Sequence, residues 1–101
     1  KLAILADIHA NYCGLQAVAA DIARWKPDLV IVAGDIINRG PRPRQCWDFV
    51  RRQRETARWR VIRGNHEDYI LKHACEPPAE NEREVHRVSY WTYRQMGLAM
   101  N

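Results

Sequence analysis

Leu2-Ala3-Ile4-Leu5-Ala6-Asp7-Ile8-His9 decides how this chain is read. Leu2 to Ala6 is continuously apolar, the pattern of a buried parallel strand. Asp7 and His9 follow at i and i+2. In an extended segment that spacing points both side chains the same way, so one cation could take both. Two later stretches repeat the arrangement. Leu29 to Ala33 runs into Gly34-Asp35-Ile36-Ile37-Asn38-Arg39-Gly40, and Arg58 to Ile62 runs through Arg63 into Gly64-Asn65-His66-Glu67. Carboxylate, imidazole and amide side chains thus stand at the carboxyl ends of three successive strands. In open α/β sheets ligands bind at that edge.

The stretches between these runs read as helices. Asn11 suits an N-cap, and Leu15, Val18, Ala19 and Ile22 fall at i, i+3, i+4 and i+7. Trp25 extends that stripe and is expected in the core; Pro27 stops the helix. Strand, helix and strand within about 33 residues make a βαβ unit with parallel strands and a right-handed crossover. Gly34 allows a sharp turn after the second strand. Pro43 suits the first turn of a second helix, with Cys46, Trp47, Phe49 and Val50 on or beside its buried face. Trp59, Val61 and Ile62 alternate loosely with Arg58, Arg60 and Arg63, which places the third strand nearer a sheet edge. A third helix is expected from Glu67 to Ala74, with Tyr69, Ile70 and Leu71 as apolar cover. His73, two turns in, is expected to be solvated or at the core edge rather than a ligand. Pro77-Pro78 breaks the chain. A last helix from Glu80 to Gln95 carries Val85, Val88 and Thr92 as a stripe, with Trp91 and Met96 beside it and Gly97 as C-cap. His86, among Glu82, Arg83 and Glu84, is expected to make surface ion pairs. The fold class is α/β, a βαβαβα arrangement with flanking helices, forming a single domain over residues 1–101.

Composition narrows the function classes. With 101 residues and 47% apolar side chains, the chain can bury a core and is no disordered tail. No apolar run approaches the ~20 residues of a membrane span, and no signal-peptide pattern opens the sequence. Cys13, Cys46 and Cys75 are widely spaced and form no CxxC pair. Reduced structural thiols and a cytoplasmic location are therefore expected. The net charge is +4, unevenly spread: nine arginines face only Asp48 and Glu55 between Arg39 and Arg63. That section could face phosphates or nucleic acid. For Arg51, Arg52, Arg54 and Arg58 the favoured reading is a solvated face whose stems cover apolar surface. Arg39, nearest the three loops, is the choice for substrate contact, because its forked guanidinium matches phosphate oxygens.

Asp7-Ile8-His9, Gly34-Asp35 and Gly64-Asn65-His66-Glu67 resemble, in order and spacing, the first three motifs of the calcineurin-like metallophosphoesterases. The matching region runs from Leu2 to about Leu71. That family continues with Gly-His and Gly-His-x-His motifs, and no Gly-His occurs here. Asn38 stands where the protein serine/threonine phosphatases have Asp before Arg-Gly. Asn-Arg-Gly-Pro is closer to bacterial relatives, including dinucleoside polyphosphate hydrolases, and Asp-Ile-His-Ala-Asn resembles small bacterial phosphodiesterases. The resemblance implies the N-terminal half of a longer two-sheet α/β sandwich.

It also implies a chemistry. A phosphate ester repels an attacking hydroxide; two divalent ions ~3.5–4 Å apart clamp its oxygens and lower the pKa of a bridging water from about 15.7 toward ~7. By resemblance Asp7 and His9 bind the first ion, Asp35 bridges both and Asn65 binds the second. His66 protonates the leaving oxygen, Arg39 neutralises the phosphoryl oxygens, and Arg63 is a poorer candidate for that task. Manganese, iron and zinc all suit such ligands. The expected activity is hydrolysis of a phosphomonoester, a phosphodiester or a dinucleoside polyphosphate. Its substrate is a phosphorylated small molecule, a nucleotide or a phosphoprotein. The alternative is a catalytically inactive half-domain that binds phosphate or nucleic acid through the arginine section. Nucleic acid is the less favoured partner, no membrane is expected, and pairing with another chain is an open option. Poor turnover is expected of residues 1–101 alone. A Rossmann-like nucleotide site lacks its G-x-G-x-x-G after Leu5.

Overall fold

The computed structural model describes residues 1–75 and 86–97. The apolar runs become strands β1 (Leu2–Leu5), β2 (Leu29–Val32) and β3 (Arg60–Val61), each shorter than the run that announces it. Left-handed residues close the ends: Asp7 and Gly34 have φ of 54° and 83°, and Arg58, before β3, has 58°. The strands are all parallel in the order β1-β2-β3, with Leu5 opposite Val32 and Val32 opposite Val61. Helices α1 (Tyr12–Trp25) and α2 (Pro43–Thr56) join them, and α3 (Asn65–Cys75) and α4 (Arg87–Met96) follow. Both crossovers step the same way along the sheet, so right-handed connections put α1 and α2 on one face. Burial follows that rule. Ala3, Leu5, Val30, Val32 and Val61 belong to the core, whereas Leu2 and Ile4 are 48% and 62% exposed. The first strand is therefore buried on one face only, despite its unbroken apolar run.

The helices follow their local signals with two corrections. Asn11 caps α1 by accepting the Gly14 N–H at 3.0 Å, and a left-handed Lys26 before Pro27 ends it. Leu15 is buried and Ala19 and Ile22 pack beside it, but Val18 and Trp25 are each 46% exposed. Val18 and Trp25 are seven residues apart, so they share one line of the helix, about 60° off the buried line of Leu15 and Ile22. The Lys1 ammonium lies over the Trp25 ring instead. On α2, Cys46 and Val50 are buried and Phe49 meets the Trp59 ring edge-on. Burial pushes the Cys46 thiol up to about 11, which makes it a structural thiol.

Helix α3 packs on α4, and α4 on α2. Ile70, Thr92 and Met96 are fully buried, while Tyr69, Val88 and Trp91 are exposed. Of the helix expected over Glu80–Gln95, residues up to Val85 lie outside the described ones, as do Glu82, Arg83 and Glu84 around His86. Gly97 follows α4 as its C-cap. His73 is buried, ringed by His86, Tyr90 and Tyr93. The Ser89 hydroxyl donates to the His86 carbonyl, so it accepts from His73 Nε2–H at 2.9 Å. Among the described residues, no helix is long and apolar enough to cross a membrane.

Two expectations follow for stability. Ile70→Ala should cost about 2–5 kcal/mol in denaturant unfolding, whereas Ile62→Ala, at a site 58% exposed, should stay within about 0.5 kcal/mol. Burial, helped by the nearby His86 and Lys72 charges, holds the His73 pKa below its ordinary 6.5. Below that value the unfolded chain takes up a proton that folded His73 resists. The stability contribution is therefore complete above about pH 6.5 and lost on acidification. His73→Gln should narrow the difference between urea midpoints at about pH 7.5 and pH 5.5.

Candidate metal centre

The loops after β1 and β2 are zipped together by their backbones. His9 N–H donates to Asp35 O at 2.9 Å, and Ala10 N–H to Ile36 O at 2.8 Å. To fit, Asp7, His9, Ala10, Asp35 and Arg39 all adopt left-handed backbone, with φ between 46° and 63°. Such conformations cost L-residues of order 1 kcal/mol or more each and cluster at functional sites. Asp7 and His9 are thus brought together by a left-handed turn and not by extended backbone.

The third loop is fastened by Glu67, in the first turn of α3. Its side chain is 1% exposed. One carboxylate oxygen accepts the Asp35 and Gly64 N–H groups, and the other those of Ile36 and Ile37. Two glycines permit the approach. A Cβ on Gly34 would come within 2.5 Å of Gly64 Cα, and one on Gly64 within 2.6 Å of Asp35 N. Asp35 Oδ1 in turn accepts the His66 N–H at 3.1 Å.

His9, Asp35 and His66 then converge: each offers a ligand atom, and these lie within 4.8 Å of one another in a partly buried setting. Asp7 Oδ1 is 3.5 Å from His9 Nε2. His9 Nδ1 is 2.9 Å from the Asn38 carbonyl. A carbonyl only accepts, so the neutral ring carries its proton on Nδ1 and leaves a lone pair on Nε2. A lone-pair imidazole nitrogen beside two carboxylates fits a borderline divalent cation. Asn65 is the exposed first residue of α3, its Nδ2 3.5 Å from the Tyr69 hydroxyl. Arg39 is exposed, and its guanidinium has no partner among the described residues. Arg63 is tied to Asp68 at 2.8 Å.

Sequence reading passed over three contributors. Glu67 counted only as the end of a motif, although an acid in a helix's first turn is a known partner for free N–H groups. Asn38 counted as a departure from a pattern, and Thr92, whose hydroxyl lies 3.4 Å from Asn38 Oδ1, as part of an apolar stripe. Glu67→Gln should replace one accepting oxygen by a donor facing two backbone N–H groups. A loss of at least about 2 kcal/mol is expected in denaturant unfolding, with faster amide exchange at residues 35–37. A variant as stable and as protected as the original would rule out the clamp.

No curated protein matches this sequence. Among solved structures, a hypothetical protein of Pyrococcus horikoshii OT3 shares the fold, with a TM-score of 0.75 and 20% identity. The alignment covers 95% of this chain and 43% of that one, so this chain spans less than half of the matched structure's length. The three parallel strands and four described helices are consistent with the N-terminal half of the metallophosphoesterase fold. The calcineurin-like phosphoesterase family matches residues 1–99. The chain belongs to the calcineurin-like phosphoesterase family.

Proposed function

We propose that this chain supplies much of the metal centre of an enzyme that hydrolyses phosphate esters. The observation that carries the reading is the convergence of His9 and Asp35, on strained loops, with His66 of α3, in a chain of this family. Asp7 and His9 would hold one divalent ion, Asp35 would serve two, and Asn65 would hold the second. Its Nδ2 already faces Tyr69, which leaves Oδ1 as the atom to offer. Manganese, iron or zinc suits these donors. When bound, such ions offset charge on the phosphoryl oxygens and make water a nucleophile near neutral pH.

The protein's own groups do the rest. Arg39 presents its guanidinium to the non-bridging oxygens, a bidentate match in shape and charge. His66 gives a proton to the leaving oxygen. Substrates in this reading are phosphomonoesters, phosphodiesters or dinucleoside polyphosphates, carried on a small molecule, a nucleotide or a phosphoprotein. Exposed Arg52, Arg54, Arg58 and Arg60, with no ion-pair partner among the described residues, favour a second reading as a phosphate- or nucleic-acid-binding surface.

One experiment separates the two, with the longest natural product containing this chain as the protein. Asp35→Ala should abolish manganese binding in calorimetry. It should lower hydrolysis of p-nitrophenyl phosphate and its bis-ester about 1000-fold or more, as should a chelator. His66→Ala should lower turnover about 10²- to 10⁴-fold while metal still binds. Nucleic-acid binding that ignores chelator and weakens steeply with salt, without hydrolysis, would support the second reading instead.

A further inference from the structure

We propose, resting on the reading of His66 as proton donor, that Asn38 is a positioning residue that fixes the His66 proton on Nε2, braced by Thr92 of α4. Asn38 is 3% exposed, so its amide is held on all sides. The Arg39 N–H donates to one amide atom at 3.0 Å. A backbone N–H can only donate, so that atom is the oxygen. The buried Thr92 hydroxyl reaches the same oxygen at 3.4 Å, sharing its proton with Val88 O at 3.0 Å. The remaining amide atom is therefore the NH₂ group, and it lies 3.1 Å from His66 Nδ1.

An NH₂ group offers protons and no lone pair. His66 Nδ1 must accept, so the neutral ring keeps its single proton on Nε2. That nitrogen is the one left to face a substrate oxygen. The opposite amide orientation would set donor against donor at Arg39 and put an acceptor against His66 Nδ1, drawing the ring proton there.

The same residue thus sorts two histidines. Its carbonyl takes the Nδ1 proton of His9 and leaves that ring a ligand lone pair on Nε2. Its amide fills the Nδ1 lone pair of His66 and leaves that ring a donor. His66 lies within ligand distance of His9 and Asp35, but its Nε2 bears the proton it would have to lose to bind a cation. Thr92 extends the arrangement to α4, so packing of that helix governs how firmly the amide is held.

The test reads tautomers directly, by long-range nitrogen–proton correlation spectra of ¹⁵N-histidine protein, without metal or substrate. At about pH 8.5, where imidazoles are neutral, His66 is expected as the Nε2–H form and His9 as the Nδ1–H form; His66→Gln assigns the signals by deleting them. Asn38→Asp presents an acceptor to Nδ1 and should convert His66 to the Nδ1–H form. Turnover, where the parent protein shows it, should drop roughly 10- to 100-fold. Thr92→Val should give a mixture of the two forms. An Nδ1–H ring at His66 in the parent protein would overturn the proposal. So would a folded Asn38→Asp protein with an unchanged tautomer, or with a converted tautomer and undiminished turnover. The spectra need no hydrolysis, so a lack of activity would count against the functional reading alone.

Discussion

Four backbone N–H groups on one buried carboxylate hold this structure's functional edge together. Glu67 belongs to α3, yet the groups it accepts belong to the β2 loop and to Gly64. An ionised side chain that is 1% exposed needs such partners, because an unpaired buried charge costs several kcal/mol. The loop needs the carboxylate equally: Ile36 and Ile37 are buried, and their N–H groups sit in no ladder or helix. Each therefore satisfies the other, and Asp35 and His66 are placed as a consequence.

The five left-handed residues make sense on the same terms. Asp7, His9, Ala10, Asp35 and Arg39 sit where the chain turns off a strand and must reverse within a few residues. Glycine at Asp7, His9 or Asp35 would relieve the cost but supply no ligand. The strain is offset by the backbone zip between the first two loops and by the Glu67 clamp. The loops are therefore held in shape by the protein's own bonds. Preorganisation of this kind lets an electrostatic site act without rearranging during the reaction.

Much of this edge was legible in the sequence, and the physics says which part. Three apolar runs followed by Asp7-Ile8-His9, Gly34-Asp35 and Gly64-Asn65-His66 give strands and polar ends, because period and length are local properties. The burial of one face only was not legible. Leu2 to Ala6 is apolar throughout, and which face is covered depends on the direction of both crossovers. Val18 and Trp25 were misplaced for a similar reason: a stripe drawn by i+3 and i+7 steps drifts about 60° from the line that meets the sheet. Glu67 was visible as an acid near a helix start, but three of its four N–H partners lie some 30 residues earlier. No local pattern could name them.

Asn38 shows how little composition says about a polar residue whose neighbours are unknown. In sequence it is an uncharged amide at a position where the resemblance puts a carboxylate in the protein serine/threonine phosphatases. A carboxylate can only accept, so it would draw a proton onto the facing ring nitrogen. An amide can accept at one end and donate at the other, and which end faces His66 is decided by the Arg39 N–H and the Thr92 hydroxyl. The choice of residue and the choice of orientation are thus separate pieces of information. The first is written at position 38. The second is written in a loop residue's backbone and in a helix 54 residues further along. That is why an uncharged side chain, unable to hold or release a proton itself, can still decide on which nitrogen its neighbour keeps one.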